Sequence, residues 1–366
     1  MKRALTLAAR AKGMTSPNPM VGAVIVKSGR IIAEDYHKRP GQLHAEALAI
    51  RKAQERAKNA TLYVTLEPCC HLKKRTPPCT GAIIDAGIKK VVIAMKDPNP
   101  KVSGKGIEEL QRHGIQVIDG ILREEAMRLN EAYMKYITTR TPFVTLKVAM
   151  TLDGKIATPE GQSKWITGEP ARKIVHRMRS ESDAVLTAIG TVLADNPQFT
   201  VRLGERAKSG QQNVKNPLRV IIDPDLETPL DYNVCCIPPR TLIVTRSQKS
   251  EAGNQKVKGL IERGIEIMEY DGDRVDLACL MSTLGERQVM SVLIEGGSSL
   301  NAATLRDGIV DKIVFFIAPK IIGGRDSIPA IGGKEFRRLE DAFLLRDMKV
   351  KRVGQDLMVE GYLRSS

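Results

Sequence analysis

The sequence predicts an α/β protein built as two layered domains, and three observations lead there. Short apolar runs rich in Val and Ile alternate with segments of helical periodicity over the first ~136 residues. The alternation breaks at Thr141-Pro142 and restarts with a new strand. The chain of 366 residues also exceeds one ordinary core and suits two. The domains are expected at 1–141 and 142–366.

The elements follow in order. Leu5 to Ala11 reads as a helix, Val21 to Val26 as a buried strand, and Arg30 to Ala33 as its hairpin partner across Lys27-Ser28-Gly29. His44 to Ala57 carries a helical apolar face at Ala45, Leu48, Ala49 and Ala53. Leu62–Leu66 is a strand, Thr80–Ala86 a helix stopped at Gly87, and Val91–Ala94 a strand. Gly106–His113 is a helix stopped by Gly114, Ile115–Ile118 a strand, and Glu124–Tyr136 a single helix. In the second half, Phe143–Ala149 is a strand and Pro170–Arg179 a helix with proline early in it. Strands follow at 184–186, 219–222, 241–244, 292–294 and 313–317, with a polar, mobile surface loop at 204–216.

Hydrophobic content is 42% and charged content 27%, so a packed globular chain is expected. No apolar run approaches the ~18–20 residues that cross a bilayer, and the start of the chain lacks a signal-peptide core. A cytoplasmic protein is expected. The net charge of +15 is uneven. Residues 1–140 hold 25 basic against 13 acidic side chains, and the remainder 32 against 29. Such a field favours an anionic partner, whether a phosphorylated small molecule or a nucleic acid, although basic side chains are as readily a solvated surface.

Six cysteines occur, three of them at 69, 70 and 79 beside His71, a cluster that suits metal or catalysis better than disulfides. His44-Ala45-Glu46 followed by Pro68-Cys69 and Cys79 approximates the H-x-E…P-C-x-x-C pattern of zinc nucleobase deaminases. One imidazole and two thiolates can hold zinc with a fourth position open to water, whose pKa the ion lowers. Glu46 is then the group that moves protons from that water to the ring nitrogen and the leaving ammonia. Pro68 is expected to place Cys69 at a helix N-terminus, where the dipole favours a thiolate. A purely structural zinc would need a fourth protein ligand, which Cys70 or His71 could supply. Lys73, Lys74 and Arg75 beside the metal suit a substrate phosphate, and Asn18 in its Pro-Asn-Pro frame suits a pyrimidine edge or an ordinary turn.

In the second half no G-x-G-x-x-G follows a strand, so a Rossmann domain is not supported. Gly296-Gly297-Ser298-Ser299 follows the strand at 292–294 and opens a helix, where backbone N–H groups can approach a phosphate. Glu295 at the strand end is placed to bind a polyol or to be a satisfied acid. Arg179 and Arg202 have guanidinium groups suited to phosphate. Trp165, the only tryptophan, sits in a polar stretch unlike a core position.

Several segments resemble the bifunctional deaminase/reductase family of riboflavin biosynthesis. They are the long loop from Glu67 to Cys79, Thr15-Ser16-Pro17-Asn18-Pro19 and the residues after it, Lys96–Pro100, Lys147–Lys155, Ser163–Thr167, Gly190–Pro197 and Ile294–Leu300. Together they cover nearly the whole chain. The resemblance implies a cytidine-deaminase-like three-layer α/β/α domain followed by a dihydrofolate-reductase-like α/β domain. It implies hydrolytic removal of the 2-amino group from a diaminopyrimidinone ribosylamino 5′-phosphate, then reduction of the ribosyl group to ribityl by NADPH. It assigns His44, Cys69 and Cys79 to zinc and Glu46 to the proton shuttle. Ser163, Arg179, Arg202 and Glu295 are implied to contact substrate, and Ala149, Trp165, Thr191, Asp195 and Gly297-Ser298-Ser299 to contact NADPH. Two features depart from the family pattern. The loop from Pro68 to Thr76 is one residue longer, so Cys69 or Cys70 is the ligand, with Cys69 preferred because it follows Glu67-Pro68. Gln42-Leu43 also replaces a Gly-Pro before His44.

Two other readings compete. A tRNA or cytidine deaminase with an unrelated appended domain fits the basic first half. The long cysteine loop and the 147–155 motif argue against it, and few aromatics leave little stacking surface for nucleic acid. A zinc-stabilised binding protein without catalysis would not need Glu46, which is no zinc ligand. A homo-oligomer is expected, of an order the sequence does not define.

Overall fold

The computed structural model describes residues 1–70, 77–202, 215–247, 250–333 and 338–364. Two compact units form, Met1–Thr141 and Pro142–Ser366. The first holds α1 (Lys2–Ala8), β1 (Gly22–Lys27), β2 (Arg30–Tyr36), α2 (Ala45–Ala53), β3 (Thr61–Val64), α3 (Cys79–Asp85), β4 (Lys90–Ile93), α4 (Lys105–Arg112), β5 (Gln116–Ile118), α5 (Arg123–Leu129) and α6 (Glu131–Thr139). Its sheet runs β2-β1-β3-β4-β5, antiparallel as far as β3 and parallel beyond it. The hairpin strand β2 extends to Tyr36, three residues further than its apolar run. Ala4 and Leu7 of α1 pack on Val24 and Tyr63, while α2 meets β1 and β2 and packs beside α3. At Gly22 a Cβ would stand 2.1 Å from the carbonyl oxygen of Ala4, so only glycine lets α1 lie this close to the sheet.

The expected helix over 124–136 is two helices broken at Asn130. That residue is 1% exposed, and its side chain pairs with the backbone of Met20: Oδ1 accepts from the N–H at 2.8 Å and Nδ2 donates to the carbonyl at 3.0 Å. A long-range pair of hydrogen bonds outweighs local helical periodicity here.

The second unit contains β6 (Phe143–Thr151), β7 (Lys155–Ala157), α7 (Glu169–Glu181), β8 (Ala184–Ala188), α8 (Ile189–Asp195), β9 (Leu218–Ile222), α9 (Asn233–Cys236), β10 (Thr241–Arg246), α10 (Glu251–Glu262) and β11 (Glu266–Tyr270). It continues with α11 (Leu277–Glu286), β12 (Ser291–Ile294), α12 (Ser298–Arg306), β13 (Lys312–Ala318), β14 (Ile328–Pro329), β15 (Leu345–Val353) and β16 (Asp356–Leu363). Nine strands form one sheet in the order β11-β10-β9-β8-β12-β6-β13-β16-β15. It is parallel from β11 to β13 and antiparallel in the last hairpin. The apolar runs are continuous because both faces are covered. Leu186, Val220, Leu242 and Ile294 enter one core, while their neighbours Val185, Ile221, Ile243 and Leu293 enter the other. β7, α8, α9, α10, β11, α11, β14, β15 and β16 were not anticipated from the sequence. β15 in particular carries charged residues at five of its nine positions and is exposed along nearly its whole length. Residues 203–214, most of the polar loop expected at 204–216, lie outside the described residues.

Candidate active sites

The first site is assembled by helix ends. His44 is the N-cap of α2 and Glu46 lies in its first turn. Cys79 is the first residue of α3. Cys69 was expected at a helix N-terminus but lies in the loop after β3, where its carbonyl accepts the N–H groups of Cys79 at 2.9 Å and Thr80 at 3.3 Å. The helix start therefore serves Cys79, and Cys69 is carried by hydrogen bonds to it. Nδ1 of His44 lies 3.5 Å from Sγ of Cys69 and 3.2 Å from Sγ of Cys79, and the three ligand atoms are within 4.8 Å of one another. A tetrahedral zinc at about 2.3 Å from sulfur and about 2.1 Å from nitrogen would separate N from S by about 3.6 Å. The three side chains fit the ion. Cys70 is not in this group. His71, Lys74 and Arg75 lie outside the described residues.

Glu46 is 3% exposed, and its Oε2 has no hydrogen-bond partner. Burial, then the charge of Cys69, pushes its carboxyl above the ordinary range. A buried carboxylate oxygen without a hydrogen-bond partner beside three metal-ligand side chains suits a group that exchanges protons, and a structural acid avoids it. Asn18 approaches the cluster through a relay. Its Nδ2 lies 3.1 Å from Nε2 of His37, Nδ1 of His37 lies 3.3 Å from the carbonyl of Leu43, and the rings of His37 and His44 meet edge to face at 5.3 Å. Sequence reasoning passed over His37, which has no motif of its own. It also passed over the buried Asp97, which accepts from Tyr133 Oη at 3.0 Å and which burial pushes up to about 6.

The second site is one cavity of about 1160 Å³ in the C-terminal unit. It gathers every residue the sequence placed there: Ala149, Ser163, Trp165, Arg179, Thr191, Asp195, Arg202, Glu295, Gly297, Ser298 and Ser299. They come from β6, from the end of β12, from α7, α8 and the start of α12, and from the loops holding Ser163, Trp165 and Arg202, the side on which open α/β sheets leave a crevice. At its base Glu295, 7% exposed, accepts from Arg179 Nε at 2.5 Å and Nη2 at 3.0 Å, and from Lys147 Nζ at 3.3 Å. Burial alone would raise the Glu295 carboxyl; the charges of Arg179 and Lys147 override it and hold it at about 2. Arg179 also donates to the carbonyl of Thr200 at 3.4 Å, so much of its fork is engaged within the protein. Lys147 was not singled out from the sequence, although a lysine inside the apolar run of β6 was a signal.

Trp165 is 64% exposed, with the Arg172 guanidinium 4.5 Å from its ring centre. Asp195 pairs with Lys164 at 3.0 Å. Gly297 is the N-cap of α12, and a Cβ there would meet only Thr191 Oγ1, at 3.6 Å. Ser298 Oγ is buried without a partner. An open helix N-terminus of this kind fits the phosphates of a dinucleotide.

Comparison with known proteins decides the family. Residues 142–359 match the RibD C-terminal domain, and residues 1–95 match the cytidine and deoxycytidylate deaminase zinc-binding region. The chain is 45% identical to the riboflavin biosynthesis protein RibD of Aquifex aeolicus (strain VF5), covering 98% of this chain and 96% of that one. The chain belongs to the RibD family. It is 41% identical to RibD of Escherichia coli (strain K12), over 98% of this chain and 96% of the other. A solved Thermotoga maritima structure, a diaminohydroxyphosphoribosylaminopyrimidine deaminase/5-amino-6-(5-phosphoribosylamino)uracil reductase, superposes with a TM-score of 0.86 at 39% identity, over 100% of this chain and 97% of that one. The fold is thus a cytidine-deaminase-like unit followed by a RibD-type, dihydrofolate-reductase-like unit. The chain is an enzyme with a zinc-binding deaminase region and a reductase region. Among the described residues no helix is long and apolar enough to cross a membrane.

Proposed function

We propose that residues 1–141 remove the 2-amino group of 2,5-diamino-6-(5-phosphoribosylamino)pyrimidin-4-one, and that residues 142–366 reduce the ribosyl group of the product to ribityl with NADPH. The carrying observation is the unpaired Oε2 of Glu46 beside His44, Cys69 and Cys79. Zinc held by these three side chains would lower the pKa of a bound water and make it a nucleophile at neutral pH. Glu46 takes one proton of the attacking water at Oε2 and passes it to the ring nitrogen, then carries the remaining hydroxyl proton to the amino group, which leaves as ammonia. Asn18, fixed through His37, presents its amide to the pyrimidine edge, and Lys74 and Arg75 hold the phosphate.

In the second site NADPH supplies the hydride. Gly297, Ser298 and Ser299 cradle its phosphates, with Thr191, Asp195, Ala149 and Trp165 along its length. Ser163, Arg179, Arg202 and Glu295 hold the substrate. Arg202 lies exposed at the cavity rim, while Arg179 and Glu295 form its polar floor. The enzyme works in the cytoplasm on small nucleotides rather than nucleic acid. It assembles as a homo-oligomer, a reading supported by the exposed β15 at the sheet edge, where unpaired backbone groups invite another chain.

Glu46→Gln tests both halves together. Deamination should fall by about 10²–10⁴-fold, while supplied aminouracil nucleotide is still reduced at close to the unmodified rate. Arg202→Ala should do the converse. Loss of the reduction in folded Glu46→Gln would refute two independent sites. Sedimentation of the purified chain as a monomer would refute the assembly.

A further inference from the structure

Glu67 stands two residues before Cys69 and is 3% exposed. Its side chain crosses from the loop after β3 to the start of α4. Oε2 accepts from the N–H of Asp97 at 3.2 Å and of Gly104 at 3.0 Å. Oε1 accepts from Gly106 at 3.0 Å and Ile107 at 3.3 Å. Gly104 is the N-cap of α4, with no side chain to cap the helix itself. Gly104, Gly106 and Ile107 carry three of the four N–H groups that every helix start leaves unpaired, and a carboxylate is the group the dipole favours there. Glu67 is the cap of α4, supplied from the loop that carries a metal ligand.

The contact is also made backbone to backbone. A Cβ on Gly106 would stand 2.2 Å from the carbonyl oxygen of Pro68 and 3.2 Å from Glu67 Oε1. The chain between Glu67 and Cys69 therefore lies directly on α4. On its other side the Cys69 carbonyl is held by the first N–H groups of α3, and Val102, in the turn before α4, packs with Cys69 and Cys79. Cys79 and His44 stand at the starts of their own helices; Cys69 lies outside any helix and is held by these neighbours.

We propose that Glu67 is a positioning residue for the deaminase, setting where Cys69 Sγ stands relative to His44 and Cys79 by locking the Pro68-Cys69 loop to α4. The inference rests on the reading that these three side chains bind zinc. Glu67 touches neither substrate nor the reacting atoms.

The test uses the full chain with Glu67→Gln, Glu67→Ala, Gly106→Ala and Cys69→Ser. Glu67→Gln keeps one acceptor oxygen but turns an amide NH₂ towards backbone N–H groups. Gly106→Ala leaves Glu67 intact and pushes the loop off α4. Zinc transfer to a chelator and the d–d spectrum of the Co²⁺-substituted protein are the readouts. Circular dichroism reports folding of the whole chain, and NADPH reduction of supplied aminouracil nucleotide reports the integrity of the C-terminal unit. Zinc affinity should fall about 10–100-fold in Glu67→Ala, as for loss of groups that orient metal ligands, and by an intermediate amount in Glu67→Gln. Gly106→Ala should move in the same direction. The Co²⁺ spectrum should change, and deamination kcat should fall more than KM rises. Should Glu67→Ala not fold, Glu67→Gln and Gly106→Ala decide. Wild-type zinc retention and Co²⁺ spectrum in a folded Glu67→Gln or Gly106→Ala would overturn the proposal. If Cys69→Ser also keeps its zinc, it is the zinc reading itself that has failed.

Discussion

Arg179→Met removes the two-pronged partner of Glu295 and leaves a carboxylate that is 7% exposed with Lys147 alone. Removing one member of a buried ion pair costs about 3–5 kcal/mol, and the surviving lysine argues for the lower end. The pH dependence gives an upper figure, because the depression is owed to Lys147 as well as to Arg179. Glu295 is held at about 2 against an ordinary 4.5. At about 1.4 kcal/mol per pH unit, this ionised carboxylate contributes on the order of 3 kcal/mol to stability. Because the folded value is depressed, the contribution is complete above pH ~4.5 and drains away as pH falls towards 2. At pH 3 only roughly 1 kcal/mol remains to be lost. The variant should therefore be about 3 kcal/mol less stable than the parent at pH 7 and roughly 1 kcal/mol less stable at pH 3. Trp165 is the only tryptophan and lies in the C-terminal unit, so its emission follows that unit during urea unfolding. With an m-value of about 2–3 kcal/mol per M, the midpoint should drop by about 1–1.5 M at pH 7. An equal gap at the two pH values would refute the charge argument and leave only lost packing.

Cys69→Ser should lose zinc and Cys70→Ser should keep about one ion per chain by elemental analysis, because only Cys69 stands with His44 and Cys79. Asn130→Ala should destabilise the N-terminal unit by about 1–3 kcal/mol in chemical denaturation, since the N–H and carbonyl of Met20 lose their partner. Gly297→Leu should weaken NADPH binding in a nicotinamide fluorescence titration. It should leave zinc content and deamination intact, because the space its side chain fills belongs to the cavity beside Thr191.

The sequence by itself determined what depends on neighbours along the chain. The alternation of apolar runs and helical periodicity placed most strands to within a residue or two, because both faces of these sheets are covered and the runs are unbroken. The spacing from His44 to Cys79 announced the zinc chemistry because few other uses require those residue types together. Tertiary structure decided what depends on residues far apart. The Arg179–Glu295–Lys147 cluster joins positions 116 and 148 apart in sequence, so neither arginine nor glutamate showed that its charge is spent on the other. Asn130 broke a helix whose periodicity was sound, because Met20, 110 residues away, offered its backbone two hydrogen bonds. Glu67 looked like one more residue of a motif until its carboxylate was found on the N–H groups of α4. Local pattern reports which side of an element is apolar. It carries no term for a buried polar group's partner, and burial makes that partner obligatory.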